Sequence, residues 1–346
     1  MDRIECYNNL PTISIIVLNY NCYSHLRSCL ESLIYLNYPK NNYEVILADN
    51  NSTDGSIEFI KTYFPWVRVL NFDKNYGYAE GNNLAAKQVS SKYVAFVNPD
   101  TYLDKNWLIE VVIAAIKYEN NSVVAIGGKI KFLENSAYVQ VAGSKMCVHG
   151  NGMNIGYGDI DNPIYDEVRY TLSPAGCAML VNRTIFLKLG GFDKDYFMYV
   201  EEFDFGYRLW LAGYKSLYVP SAVAHHKMGD NFRFKVKPFM LFHEEKNKLS
   251  TIVKNFETIT IFKGVFIYIC FFMVKVILYL YRREFHFIIP MINGVISFSY
   301  ELPRVLKKRG LIQSSRKRSD KDMYENDLIA PVNECVREFI RINSFR

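Results

Sequence analysis

Strands alternating with helices predict an α/β fold on a mostly parallel sheet, and three observations carry that expectation. Residues 13–18, 43–48, 67–71 and 93–97 are short runs rich in apolar and β-branched side chains, as in strands buried on both faces. Between them lie stretches with one apolar helical face, such as Leu26, Leu30 and Leu33 within 25–35. Polar clusters follow three of the runs: Asn19, then Asp49, then Asn98 with Asp100.

In chain order, the first strand leaves on Asn19-Tyr20-Asn21 and feeds the helix at 25–35. The second ends in the polar loop 49–56, whose Ser, Thr and Asp side chains predict a capped helix over 57–63. After the third strand, the loop 75–83 opens a helix that runs to Val89, and the fourth strand ends on Asn98-Pro99-Asp100. Ligands of open parallel sheets bind outside the carboxyl ends of the strands, so the three clusters point at one crevice. Capping of three separate helices is the plainer alternative.

No G-x-G-x-x-G follows the first strand and no G-x-x-x-x-G-K-[ST] occurs, so glycine cradles for phosphate are missing. A divalent metal on a strand-end carboxylate is the natural substitute. Asp100 is the candidate, and oxygen ligands suit Mg²⁺ or Mn²⁺.

Residues 190–215 read GGFDKDYFMYVEEFDFGYRLWLAGYK, with Asp195, Glu201, Glu202 and Asp204 set among aromatics. Acids in such surroundings lose hydration unless they are paired or used chemically. From Glu201 onward Phe205, Leu209 and Ala212 mark one face of a helix that stops at Gly213. Acids at its start lie near the positive end of the helix dipole, which favours their ionised form. Capping and an Asp204–Arg208 ion pair one turn apart would also account for them.

Seven segments resemble a known family: ISIIVLNYN, EVILADNNSTDGS, NYGYAEGNN, VAFVNPDT, SPAGCAMLVNR, GGFDKDYFMYVEEFDFGYR and AVAHHKMG, in that order over residues 13–229. They look like the inverting nucleotide-sugar glycosyltransferases of family two, in the branch holding bacterial and archaeal rhamnosyltransferases. The resemblance implies a GT-A (Rossmann-like) fold. It places Asp49 on a pyrimidine base, with Asn19, Asn75, Gly77, Asn82 and Asn98 along the nucleotide. Asp100 would contact the metal, and His226 (or His225) in the H-x-x-G pattern would be its distal ligand. Gly176 would lie beside the donor sugar and acceptor. Apart from the resemblance, residues 122–169 carry scattered glycines and little periodicity, and strands with an acceptor-side loop are expected there. The general base falls on Glu202, where the family usually has Asp. The added methylene lengthens the reach, and Glu201 and Asp204 stay as alternatives. The implied reaction moves a sugar, rhamnose among the candidates, from a dTDP- or UDP-sugar to a hydroxyl of a growing, lipid-linked glycan. Transfer to a polyprenyl phosphate and an inactive sugar-binding scaffold are the alternatives.

With 346 residues, half of them hydrophobic, the chain is long enough for one domain of 1–235 and a helical region of 236–346. Residues 259–281 are apolar apart from Thr260, Lys263 and Lys275, close to the ~20 residues of a membrane span. A lysine at mid-bilayer costs about 2.5–3.5 kcal/mol, and the next apolar stretch, 285–300, is interrupted by Pro290, Asn293 and Gly294. Arg282, Arg283 and the basic run from Arg304 to Arg318 favour an anionic surface. Helices lying in the inner leaflet are therefore expected, peripheral or monotopic on the cytoplasmic face of the cell membrane. A soluble helical pair covering the catalytic domain, or a second copy in a homodimer, is the alternative. The basic run carries no nucleic-acid-reading motif. The seven cysteines are scattered, with no C-x-x-C, which predicts reduced thiols without a zinc site. The first residues are polar, with no apolar signal core.

Overall fold

The computed structural model describes residues 10–227 and 236–344. The N-terminal polar segment, the last two residues of the H-x-x-G pattern and the boundary expected at 235/236 lie outside the described residues.

The predicted alternation is present: β1 (Ile13–Asn19), α1 (Tyr23–Ile34), β2 (Tyr43–Asp49), α2 (Ser56–Tyr63), β3 (Arg68–Asn71), α3 (Gly77–Lys87) and β4 (Tyr93–Val97). The middle of the chain, where periodicity was weak, holds β5 (Thr101–Leu103), α4 (Trp107–Lys117), β6 (Val123–Phe132), β7 (Val139–Val141), β8 (Ser144–Cys147), β9 (Gly152–Asn154) and β10 (Arg169–Thr171). Next come β11 (Ala178–Asn182), α5 (Arg183–Lys188), α6 (Glu201–Leu211) and β12 (Lys215–His226). The helical region comprises α7 (Pro238–Asn255), α8 (Thr258–Tyr281), α9 (Ile288–Ser314), α10 (Asp320–Glu325), a short β13 (Ile329–Ala330) and α11 (Val332–Ser344).

The main sheet has the order β10-β12-β6-β11-β4-β1-β2-β3. β3, β2, β1, β4, β6 and β12 run one way, while β11 and β10 run against them, so the sheet is mixed with a parallel half. The strand order reverses at β1, with β2 on one side and β4 on the other, both parallel to it, the switch point where such sheets bind ligands. Alternate residues of the central strands feed two cores. Ile13, Ile15, Val17, Val45 and Leu47 pack with α1 and α4, whereas Ile16, Ile46, Val94 and Phe96 pack with Phe186, Phe205 and Trp210. Burial on both faces explains the unbroken apolar runs.

Two local expectations are corrected. The residue preceding α2 is Gly55, at φ +84°, with no side-chain cap; the Asp54 carboxylate instead accepts from the Ser56 amide at 3.1 Å. The stretch expected to be broken at Pro290 is part of the continuous 27-residue α9. Pro290 falls in its first turn, where a missing N–H goes unused.

The helical region is integral to the second core. Leu249 and Ile252 of α7, with Phe256 just past its end, share it with Ile16 and Ile46 of the sheet. α7 reads as polar yet is largely buried, His243, Glu245, Lys246, Asn247, Lys248, Lys254 and Asn255 included. It survives burial because its charges are paired. Lys254 meets Asp204 at 3.0 Å and also contacts Asp193, and Lys248 contacts Glu244 at 3.1 Å and Glu245 at 3.4 Å. The basic run of α9 is only partly a surface feature. Lys308 bonds Asp193 and Asp195, and Arg309 donates to the Val253 carbonyl at 2.8 Å.

Asp204 is the hub of this network. Removing its carboxylate leaves Arg208 without its ion pair and Lys254 with Asp193 alone, both in a buried setting, so Asp204→Ala should lower unfolding free energy by about 3–5 kcal/mol in urea denaturation. An unchanged midpoint would show that the network contributes nothing to stability.

Candidate active site

A cavity of about 390 Å³ opens at the strand ends. Tyr78, Asn98, Gly176, Glu201, Glu202 and His226 contribute to its walls. β4 brings Asn98 to its carboxyl end, β12 brings His226, and the first turn of α6 brings both glutamates.

On one side, His226 Nε2 lies 3.3 Å from Asp100 Oδ1. β5 and β12 pair antiparallel with Thr101 opposite His226, and the Lys227 amide donates to the Asp100 carbonyl at 3.0 Å. Burial opposes ionisation of Asp100, but the charge and hydrogen bond of His226 outweigh it and hold the carboxyl below its usual range. The other ring nitrogen, Nδ1, lies 2.9 Å from Gln140 Oε1. In the neutral tautomer with the proton on Nδ1, donated to that amide, the Nε2 lone pair faces the carboxylate, and a cation between them would take the place of the imidazolium charge. Oxygen and imidazole donors so placed fit Mg²⁺ or Mn²⁺.

On the other side stand Glu201 and Glu202. The expectation that the helix terminus keeps both ionised is overturned by burial. Burial pushes the Glu202 carboxyl up to about 7 against the pull of backbone N–H groups. Burial, followed by the charge of Glu202, raises Glu201 well above the usual range. Glu201 Oε2 is buried with no hydrogen-bond partner among the described residues. The buried Cys177 thiol is pushed up first by burial, then by Asp100 and Glu202, so both carboxylates act on one point of the cavity wall. A Cβ on Gly176 would come 3.3 Å from Tyr78 Oη and 3.7 Å from Glu202 Cδ, so glycine keeps that wall open.

The turn before α6 is held in a costly conformation. Phe197, Tyr199 and Val200 have φ of 63°, 70° and 71°. One side-chain amide from α7 clamps it: Asn247 Nδ2 donates to the carbonyls of Tyr196, Met198 and Tyr199 at 3.1, 3.0 and 2.8 Å. The Phe197 carbonyl accepts from the Ala79 amide at 3.0 Å, which ties the same turn to α3. A Cβ on Gly77 (φ +73°) would sit 2.5 Å from that carbonyl.

The remaining predicted residues divide. Asn19 and Asp49, at the ends of β1 and β2, are fully buried and bonded to each other at 2.7 Å, with Ser52 bonded to both. Asn75 accepts from the Gly77 amide at 2.8 Å and Asn82 donates to the Tyr78 carbonyl at 3.0 Å, both shaping the start of α3. Asp204 is a correction. It is fully buried and bonded to Tyr196, Arg208, Asn255 and Lys254, and it is absent from the cavity wall. His225 faces Asp104 at 3.2 Å and likewise leaves the wall to His226. Sequence reasoning missed Gln140, Asn50 and Asn247, and did not single out Tyr78 within the 75–82 loop. Gln140 lies in the stretch without periodicity, and no local signal marks it. Asn50 could have been suspected from the polar loop after β2; it bonds the Gly77 carbonyl at 3.0 Å.

A crevice at the switch point of a mixed sheet, with a carboxylate–imidazole pair facing two acids, is that of a GT-A glycosyltransferase. The profile of Glycosyl transferase family 2 matches residues 14–177. The chain is 31% identical over 238 residues to an N-acetylglucosaminyl-diphospho-decaprenol L-rhamnosyltransferase of Mycobacterium tuberculosis, covering 62% of this chain and 76% of that protein. Among solved structures, S. aureus TarS 1-349 in complex with UDP-GlcNAc matches with a TM-score of 0.56 and 18% identity, over 88% of this chain and 87% of that one. The mannosyltransferase PcManGT from Pyrobaculum calidifontis, in complex with GDP-Man and Mn²⁺, matches at 0.53 and 13% identity, over 85% and 88%. The chain belongs to glycosyl transferase family 2.

The raised Glu202 carboxyl has a consequence for stability. Its folded pKa lies above the unfolded value, so it favours the folded state below the unfolded pKa and loses that contribution as pH rises through about 7. Glu202→Gln should therefore raise the melting temperature relative to wild type at pH 8 and leave the difference small at pH 5. A difference independent of pH would refute the shift.

Proposed function

We propose that the chain transfers a sugar, with inversion, from a nucleotide-diphosphate donor to a hydroxyl of a lipid-linked glycan, with Glu202 as general base. The observation that carries this reading is one cavity whose wall holds both Glu202 and His226, with Asp100 3.3 Å from the His226 ring. Ionised Glu202 takes the proton of the acceptor hydroxyl as that oxygen attacks the anomeric carbon from the face opposite the diphosphate. A carboxyl poised near 7 is a stronger base than an ordinary glutamate and is still substantially ionised at neutral pH. Glu201, whose carboxyl burial and the Glu202 charge raise well above the usual range, offers in its protonated form an O–H donor to a sugar hydroxyl. Asp100 and His226 would hold Mg²⁺ or Mn²⁺, which supplies Lewis-acid stabilisation of the charge gathering on the leaving diphosphate. Asn19, Asp49, Asn75, Gly77, Asn82 and Asn98 form the nucleotide side, and Gly176 leaves room for the sugar.

Acceptor and location follow from the helical region. The curated relative is named for a decaprenyl-diphosphate-linked acceptor, which supports a lipid-linked substrate here. α8 is long and apolar enough to cross a membrane by length and composition, and it shows Phe262, Phe266, Ile269, Met273 and Ile277 to the outside. Lys275, the obstacle in the sequence, turns inward to Glu245 at 2.9 Å. Exposed Ile289, Ile292, Ile296 and Tyr300 extend the apolar face along α9. This face lies in the inner leaflet, on the cytoplasmic side, and brings the cavity to a lipid-borne acceptor.

Glu202→Gln should reduce kcat by about 10²–10⁴-fold, the usual contribution of a general base, with nucleoside-diphosphate affinity by calorimetry unchanged. Wild-type turnover by that variant would remove Glu202 from the mechanism. On fractionation, wild-type protein should sediment with membranes and need detergent for release, while Phe266→Glu with Ile277→Glu moves it toward the soluble fraction. Wild type found in the supernatant without detergent would contradict attachment.

A further inference from the structure

Behind the active-site cavity, three ligand-type side chains converge from distant parts of the chain. Cys147 ends β8, His149 follows two residues later, and Cys335 stands in the first turn of α11. One atom of each, two Sγ and a ring nitrogen, lie within 4.8 Å of one another, and all three residues are buried. The fold brings them together through β13, which pairs parallel with β8 and sets Ala330 opposite Cys147, so that α11 starts beside the end of β8. The His149 ring is held flat against Phe271 of α8, centroids 4.3 Å apart and planes at 8°. Its Nδ1 is buried with no hydrogen-bond partner among the described residues. A buried imidazole nitrogen left in that state lacks its natural acceptor or donor, and the same ring brings a nitrogen within 4.8 Å of two sulfurs.

We propose that Cys147, His149 and Cys335 bind a thiolate-seeking divalent metal of the Zn²⁺ class, in a site separate from the Asp100–His226 pair. Two sulfurs and one imidazole nitrogen are a donor set that selects zinc over magnesium or manganese. With Zn–S near 2.3 Å and Zn–N near 2.0 Å, ligand atoms in a tetrahedral site stand roughly 3.5 Å apart, inside the observed spread. The fourth position faces a void of about 100 Å³ that Glu338 also lines, three residues beyond Cys335 on the same helix face. Binding releases two protons, one from each thiol. Two thiolates and a neutral imidazole then balance the two positive charges, and no net charge is buried. Lys248, on the same void, stays with Glu244 and Glu245. The metal would staple α11 to β8. Because Glu338 of α11 also lines the active-site cavity, the staple sets that wall. The scattered cysteines gave no hint of this, since Cys335 approaches the other two only through the β13–β8 pairing. The inference is independent of the sugar-transfer reading.

Zinc content by atomic emission, measured on the full chain after dialysis against metal-free buffer, should show one equivalent retained. Replacement by Co²⁺ should give near-ultraviolet thiolate-to-cobalt absorption, which a carboxylate–imidazole site cannot produce. That absorption should vanish in Cys147→Ser and in Cys335→Ser, and apparent affinity should fall as pH is lowered, because the thiols then keep their protons. Absence of both retained zinc and the thiolate band in the wild-type chain would overturn the proposal whether or not the serine variants fold. Persistence of the band in both variants would do the same. So would a mass two hydrogens lower, with both residues in one cross-linked peptide, which would assign the pair to a disulfide.

Discussion

Asp204 and Lys254, buried and paired, are what the active-site region hangs on. The carboxylate takes charge-assisted bonds from Lys254, Arg208 and Asn255, and burial alone would push it the other way. Each is buried only because it is paired, Asp204 with Lys254 and Arg208, Lys254 with Asp204 and Asp193. Through them α7 is locked against α6, and the same α7 supplies Asn247 to the strained turn that aims Glu201 and Glu202. Asp193 extends the lock to Lys308 of α9. Helices that follow the family-matched part of the chain thus hold the acids of the cavity in place.

The cavity sets two kinds of electrostatics side by side. Asp100 has an imidazole within 3.3 Å and keeps its charge despite burial. The glutamates have only backbone N–H groups and each other, so burial wins and their protons are held longer. Opposite shifts of carboxyl groups in one pocket separate a charge-holding role from a proton-exchanging one. The helix dipole at the start of α6 favours ionisation, but at this depth its contribution of about 1 kcal/mol is smaller than the desolvation it opposes.

The C-terminal helices combine an inner face of paired charges with an outer face of bare apolar side chains. Buried Gly264, Tyr268 and Tyr279 mark the inward side of α8, while Phe262, Phe266 and Ile277 mark the outward one. Lys275 belongs to the first face and so does not interrupt the second. Read along the chain, one lysine breaks an apolar segment. Read around the helix, it leaves that segment whole.

Local pattern and residue chemistry determined the parallel half of the sheet, because strands buried on both faces must be apolar throughout. They also determined the strand-end polar clusters, since a strand's end is written in adjacent residues. Glu202, Asp100 and His226 were singled out through motif order; Glu202 and His226 line one cavity, and Asp100 stands against His226. Only the tertiary structure decided that Asp204 serves the fold and leaves the cavity to its neighbours, because its partners Lys254 and Asn255 lie 50 and 51 positions away. The same holds for Gln140 behind His226, for Asn247 under the strained turn, and for the meeting of Cys147 with Cys335. Hydrogen bonds and ion pairs between distant segments leave no periodicity in a sequence; they exist only once the hydrophobic layers have brought those segments into contact.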